Sequence, residues 1–410
     1  MAAEQPQTTV GRVGYWRLLR RNAAYRRLWL GVVVSMAGDW FRTIALYRLV
    51  LALTGTSGLA LGAVLSVEML AIFVCSPLAG VVADRYSRKA VMVAADGVRA
   101  VLVLGFLGLT ADRLWLAYGL AAALMGAAAF FQPAYLATIP LLTSREELLV
   151  ANALGSASWA VMLAVGSALG GAVVAVLGTQ AAFVIDAVSY LISALCIATV
   201  PIPAGGQAAR IPGGWQALGQ GLRYVAAQPR VRRLLTVKAC GAGLGGGMLL
   251  LFVLFAEEVF HAGALGLGVL YMTRGLGAAV GPVLARRLAG ERPAAMEQAI
   301  GWAFGLTGSL YVAFAHTPTL LAAALVLCLA YMAASVLWVF STTLLQVWVP
   351  DAYRGRVFAA DFALFTFTMA VSALLTGWAA DTLALSPRTL ATVLGILVLL
   401  PAGFWLWPRR

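Results

Sequence analysis

A run of about twenty mostly apolar residues recurs twelve times along this 410-residue chain, and that repetition limits what it can fold into. A helix rises about 1.5 Å per residue, so a run of that length crosses the hydrocarbon of a bilayer. The runs lie near 28–53, 59–83, 90–110, 114–139, 149–177, 181–200, 234–257, 265–285, 295–315, 319–348, 357–381 and 389–407. Most breaks are turns such as Thr54-Gly55-Thr56 or Ser386-Pro387, and only 201–233 is long. The chain is 62% hydrophobic and only 11% charged. Soluble domains carry about 25% charged residues, so here lipid must be the solvent. The expected fold is all-α, integral to the membrane and multi-pass.

The net charge of +13 comes from short basic clusters between the runs. They include Arg12, Arg17, Arg20, Arg21, Arg26 and Arg27 before the first run, and Arg85, Arg88 and Lys89 after the second. Arg145, Arg210 to Arg233, Arg286, Arg287, Arg292, Arg354, Arg356, Arg409 and Arg410 follow. All fall on one side of the membrane if the N-terminus is cytoplasmic, while only Arg113 and Arg388 fall opposite. The positive-inside rule then places both termini in the cytoplasm, in a cytoplasmic (inner) membrane. Clusters split in this way make no basic face for nucleic acid.

Six runs, a basic loop and six more runs predict two six-helix bundles. The segments are a cytoplasmic N-terminal segment at 1–27, a bundle at 28–200, a cytoplasmic linker at 201–233 and a second bundle at 234–407. Within the linker, 213–228 is weakly amphipathic and is expected to lie on the membrane face as a connector. Leu59-Ala60-Leu61-Gly62 recurs as Leu265-Gly266-Leu267-Gly268, and Ala151-Asn152-Ala153-Leu154 parallels Ala360-Asp361-Phe362-Ala363. Transporters with parallel halves place their substrate between those halves, near the midplane.

An ionisable residue in a spanning helix costs about 2.5–3.5 kcal/mol on insertion scales, so each needs a reason. Asp39 lies about 18 Å along a helix from Arg27, near the midplane, and Arg42 is one turn on and within pairing reach. Asp96 and Arg99 repeat that spacing. Glu68 sits toward the outer half, Arg274 is deep and Asp186 lies near the outer end of its run. A carboxyl group in low dielectric holds a proton more readily than in water. Asp39 and Glu68 are therefore the proton-coupling candidates, with Arg42, Asp96, Arg99, Asp186 and Arg274 as charge partners or substrate contacts. A static Asp39–Arg42 pair that only packs helices is the alternative. Lys238 is expected to be shallow and to snorkel, Glu257 and Glu258 to be solvated, and Asp361 to serve a helix start. Trp40, Phe130, Trp159 and Trp338 are candidate cavity aromatics.

Cys75, Cys196, Cys240 and Cys328 are scattered in apolar runs without metal or disulfide spacing. No catalytic polar cluster and no GxxxxGK[ST] phosphate loop occurs, so neither an enzyme nor ATP-driven transport is expected. No cofactor or metal is expected. The first apolar run follows a basic head and exceeds a signal-peptide h-region, so no cleaved signal is expected.

Between the second and third runs stands Gly80-x-x-x-Asp84-Arg85-x-x-Arg88-Lys89. It resembles the loop signature of the major facilitator superfamily, with Ser87 where that signature has glycine. Its Asp84 can accept from an adjoining helix N-terminus or an arginine, a latch made in one conformation and broken in the other. Gly166-Ser167-Ala168-Leu169-Gly170-Gly171 resembles the superfamily's antiporter motif, with Ser167 in place of proline. The fourth-helix arginine of many proton antiporters is absent from Leu124 to Gln132. Four further stretches narrow the resemblance. These are Gly38-Asp39-Trp40, the segment Phe131-Gln132-Pro133-Ala134 through Leu154, Phe183 to Ala187, and Pro350-Asp351-x-x-Arg354-Gly355-Arg356-Val357. Together they are similar to the efflux branch that includes the enterobactin exporter and macrolide efflux proteins. The resemblance implies proton-driven export by alternating access of a drug-like compound, siderophore or secondary metabolite, by a monomer. Symport into the cell is the alternative, and a polytopic membrane enzyme is a third reading.

Overall fold

The computed structural model describes residues 14–202, 215–289 and 292–406. Arg12, Arg210, Arg409 and Arg410 of the basic clusters, and the linker from 203 to 214, lie outside these residues. Every regular element among the described residues is helical. The helices are α1 (Tyr15–Arg21), α2 (Ala23–Thr54), α3 (Gly58–Arg85), α4 (Arg88–Gly105), α5 (Leu114–Leu142), α6 (Arg145–Val161) and α7 (Ser167–Ala198). After the connecting segment come α8 (Trp215–Ala227), α9 (Pro229–Gly243), α10 (Gly245–Leu254), α11 (Gly263–Ala289), α12 (Pro293–Ala315), α13 (Leu320–Trp348), α14 (Asp351–Thr382) and α15 (Pro387–Leu406).

Local sequence sets the helix ends. Ser57 accepts from the Ala60 amide at 3.0 Å to start α3. Ser144 and Glu147 form a reciprocal capping box on α6. Gly55 ends α2 with φ 64°, a left-handed cap that glycine adopts without strain. A single π turn, Met162–Gly166, joins α6 to α7. Gly178 breaks the continuing helix at φ 84° and ψ 171°, within the gap expected between the runs 149–177 and 181–200.

Eight of the described helices are long and apolar enough to cross a membrane. Their outer faces agree: Val101, Leu149, Val176, Leu195, Trp302 and Leu321 are all more than two-thirds exposed. No soluble fold leaves so much large apolar surface bare. The chain is a multi-pass membrane protein.

Helices α2 to α7 pack on one another, as do α9 to α15. Contact between the two sets runs chiefly through α3 with α14 and α7 with α11. A glycine of each copy of the Leu-x-Leu-Gly stretch sits at one of these contacts. Gly62 of the first repeat copy seats α3 on the Ala373 carbonyl of α14, and Gly268 of the second seats α11 on the Ser167 carbonyl of α7. The connector helix α8 is amphipathic as expected. Leu218, Gly221 and Val225 are its buried face, and Gly221 lies against the Arg356 carbonyl of α14.

Candidate functional site

Four helices of the first half bring their charged residues into one network, buried except for the half-buried Asp39. Arg42 on α2 pairs with Glu68 on α3 at 3.2 Å and with Asp186 on α7 at 3.7 Å. All three side chains are at most 3% exposed. Tyr47 donates to the other Glu68 oxygen at 2.9 Å. Asp39, on the same helix as Arg42, forms no ion pair among the described residues and instead accepts from the Tyr190 hydroxyl at 2.5 Å. Asp96 and Arg99 on α4 pair one turn apart, as their spacing predicts. The Arg99 guanidinium lies over the rings of Tyr190 at 4.3 Å and Phe131, on α5, at 4.9 Å.

The static Asp39–Arg42 pair, the alternative reading of the sequence, is therefore not made. The i,i+3 spacing permits the contact, but the long arginine side chain reaches two carboxylates on neighbouring helices. Gly38 is what lets those helices meet, because a Cβ there would overlap Ser189 and Asp186. The network is incompletely bonded. Asp96 Oδ2, Asp186 Oδ2 and the Nε atoms of Arg42 and Arg99 are buried without a hydrogen-bond partner among the described residues. Four carboxylates (Asp39, Glu68, Asp96, Asp186) face two guanidiniums (Arg42, Arg99).

Sequence reasoning missed a second ion pair. Lys238 on α9 is 1% exposed and meets Asp361 on α14 at 2.5 Å, with its ammonium 4.2 Å from the centre of the Trp338 ring. It does not snorkel, because α9 begins at Pro229, earlier than the apolar run, which puts Lys238 about 14 Å inside the helix. Removing one member of a buried pair strands the other charge, typically at a cost of about 3–5 kcal/mol. Lys238→Ala is expected to lower the thermal unfolding midpoint of the purified protein. The double variant Lys238→Met/Asp361→Leu is expected to recover most of the loss. A double variant no better than the single would show that the pair matters for something other than mutual neutralisation.

Arg274 on α11 is half-buried and makes no ion pair among the described residues. Its guanidinium lies 5.5 Å from the Tyr331 ring centre, Tyr331 in turn lies 6.3 Å from the Tyr311 ring, and Tyr271 stands one turn before Arg274 on α11. Trp40 crosses from the first half to Tyr271, ring centres 5.2 Å apart. Of the other candidate aromatics, Phe130 is half-buried, Trp159 is 52% exposed, and Trp338 packs on Phe365 at 5.0 Å beneath Lys238.

The motif residues divide between the two ends of the helices. At the Ser57 end the halves are fastened. Asp381 of α14 accepts from the Gly58 amide at 2.8 Å, the Leu59 amide at 3.0 Å and the Ser57 hydroxyl at 2.6 Å. It thereby caps a helix N-terminus across the interface. Arg48 pairs with Glu257 at 2.6 Å, so Glu257 is engaged rather than simply solvated. Gly166 and Gly170 of the antiporter-like motif admit Trp40 and the α2 backbone, and Gly171 admits the Ala264 carbonyl of α11. At the other end, Gly80 has open space where a Cβ would stand, and Asp84 and Arg85 are exposed. Arg88 donates to the Ala137 carbonyl at 2.9 Å and Lys89 to the Val200 carbonyl at 3.0 Å, both within the first half. Ser87, where the signature has glycine, accepts from the Ala90 amide at 3.4 Å and caps α4. Among the described residues Asp84 thus makes no ion pair across the halves.

Comparison with known proteins agrees with this architecture. The chain is 27% identical over 356 residues to the enterobactin exporter EntS of Citrobacter koseri, covering 83% of this chain and 81% of that one. It is 24% identical over 216 residues to the uncharacterized MFS-type transporter YfiS of Bacillus subtilis, covering 52% of this chain and 51% of that protein. The fold superposes with a TM-score of 0.71 on a bacterial homologue of the iron transporter ferroportin in an inward-facing state. That match covers 94% of this chain and 99% of that one at 14% identity. The Major Facilitator Superfamily profile matches residues 28–360, and the chain is a transporter belonging to that superfamily.

Proposed function

We propose that this protein is a proton-coupled exporter of a drug-like compound, siderophore or secondary metabolite, working as a monomer by alternating access in the cytoplasmic membrane. In this reading twelve helices span the bilayer. The break at Gly178 divides one long span in two. Helix α2, whose apolar run is interrupted by Asp39 and Arg42, joins α12 and α15 to complete the count. Two six-helix bundles result, with both termini cytoplasmic. The Ser57 end is then the outer face, and this conformation is closed outward. The inward-facing state of the superposed ferroportin homologue supports that assignment.

The observation that carries the coupling is the surplus of carboxylates in this network, the buried Glu68, Asp96 and Asp186 and the half-buried Asp39 against two guanidiniums. Stranding an ionised carboxylate in low dielectric is costly, so the surplus is met by binding protons. Asp39 and Glu68 carry them. Arg42, shared by Glu68 and Asp186, redistributes between its partners as the proton comes and goes. The name of the EntS relative supports export as the direction.

The test is reconstitution in liposomes with an imposed pH gradient and a panel of amphipathic compounds. The expected result is movement out of the cytoplasmic face driven by protons moving the other way. Movement that ignores the gradient, or that runs with the protons, overturns the exchange mechanism.

A further inference from the structure

Arg42, Arg99 and Lys238, the other cations buried in the spanning helices, each rest on a carboxylate. Arg274 does not. It stands about 16 Å along α11 from the Gly263 end, level with Glu68, which stands about 15 Å along α3 from the Gly58 end. Glu68 does not serve as its counterion, because its two oxygens are taken by Arg42 and Tyr47. Asp361, the carboxylate buried in the second half, is taken by Lys238. Its neighbourhood is aromatic instead: Tyr331 under the guanidinium, Tyr311 against Tyr331, Tyr271 one turn away on α11, and Trp40 reaching Tyr271 from the other half.

We propose that Arg274, over Tyr331 and beside the aromatic pairs Tyr311–Tyr331 and Trp40–Tyr271, binds the anionic group of a flat aromatic acid, so that the exported substrate is an aryl carboxylate or a close chemical equivalent. The proposal rests on the transporter reading above and names its substrate class. The planar guanidinium matches a carboxylate with two parallel N–H donors. Tyrosine hydroxyls add donors to the same oxygens, and ring faces hold an apolar aromatic body at little entropic cost. The substrate itself then supplies the missing counterion. The Trp40–Tyr271 contact links the two halves, so a ligand against Tyr271 touches both of them at the depth of the carboxylate network. The charges are divided to match. Surplus acid sits in the first half, where protons load, and Arg274, without an ion pair among the described residues, sits in the second, where an acid docks.

The experiment compares naphthalene-2-carboxylate with naphthalene-2-carboxamide, two probes of one shape and different charge. Equilibrium binding is measured by scintillation proximity on the purified full-length protein in detergent at neutral pH. The wild type is expected to favour the carboxylate by at least about tenfold, the scale of a charge-assisted hydrogen bond. Arg274→Gln is expected to weaken carboxylate binding far more than amide binding and so abolish the preference, with an unchanged thermal unfolding midpoint showing that the variant is folded. Arg274→Lys keeps the charge without the fork and should retain part of the preference. Equal binding of the two probes, no carboxylate binding up to millimolar concentration, a preference that survives in Arg274→Gln, or its complete loss in a folded Arg274→Lys protein would each overturn the proposal. No gradient or flux enters the measurement, so its failure is distinguishable from failure of proton exchange in liposomes.

Discussion

Replacing Gly171 by valine is expected to reduce transport by one to two orders of magnitude while leaving the protein folded. A Cβ at this position would stand 2.5 Å from the Ala264 carbonyl, well inside van der Waals contact. Because backbone lies on both sides, α7 and α11 have to part rather than a side chain turn aside. Overpacking of this kind costs about 1–3 kcal/mol, and a shift of that size changes a two-state ratio by about 5- to 150-fold. The cost falls only on the state closed at the Ser57 end, so the equilibrium moves toward the state open there. A cysteine placed at Thr382, in a background lacking the four native cysteines, should react several-fold faster with an impermeant maleimide. Gly171→Ala should show a smaller effect of the same sign. Gly119→Ala, where nothing lies within 4 Å of the added carbon, should show none. Unchanged labelling and transport in the valine variant would mean that the α7–α11 contact is not part of the gate.

Glu68→Gln is expected to flatten the dependence of accumulation on the pH gradient. One pH unit is worth about 1.4 kcal/mol per coupled proton, which is a tenfold concentration ratio. If Glu68 carries one proton per cycle, the amide loses that factor of ten for each unit imposed. Exchange of labelled for unlabelled substrate at equal pH should survive, since glutamine resembles the protonated acid in shape and still accepts from Tyr47. Asp39→Asn tests the second candidate by the same readout. A Glu68→Gln protein that accumulates substrate to the wild-type ratio at every imposed gradient would remove Glu68 from the coupling path, and the same result with Asp39→Asn would remove the pair.

The helices were legible because their signal is local. Twenty apolar residues in a row have few alternatives in lipid, and breaks such as Gly55 and Gly178 carry the residue that a left-handed or extended backbone needs. The charged residues were legible as a set for the same reason, since each stands out in an apolar run. Their pairing was not. Asp96 and Arg99 found each other because both sit on α4. Arg42 passed over Asp39 because two better-placed carboxylates arrive on other helices, and helix rotation and tilt are not written in spacing. Lys238 was misplaced by a few residues of helix start, enough to turn a shallow cation into a buried one. Asp381 gave no signal at all. It looks like any loop-proximal acid until α14 is seen to end beside the start of α3. The tyrosines around Arg274 likewise became a group only when α11, α12 and α13 came together.

The seam between the halves at the Ser57 end is made largely of glycine resting on carbonyl groups: Gly62 on Ala373, Gly377 on Gly58, Gly171 on Ala264 and Gly268 on Ser167. Surfaces of that kind do not interlock. Side chains that mesh must leave their rotamers before two helices can separate, and each such step adds to a barrier. Smooth backbone faces slide apart without that step and close again without searching for a fit. Specific contacts across the seam are then few: Asp381 on α3, Arg48 on Glu257, the buried Ser66 hydroxyl on the Ala370 carbonyl at 2.7 Å, and Trp40 on Tyr271. If the protein alternates as proposed, the speed of that change is expected to depend on this handful of contacts, of which Asp381 and Arg48–Glu257 lie at the rim. Ionic strength and rim substitutions should alter turnover more readily than changes deep in the bundle that leave the substrate and proton sites intact.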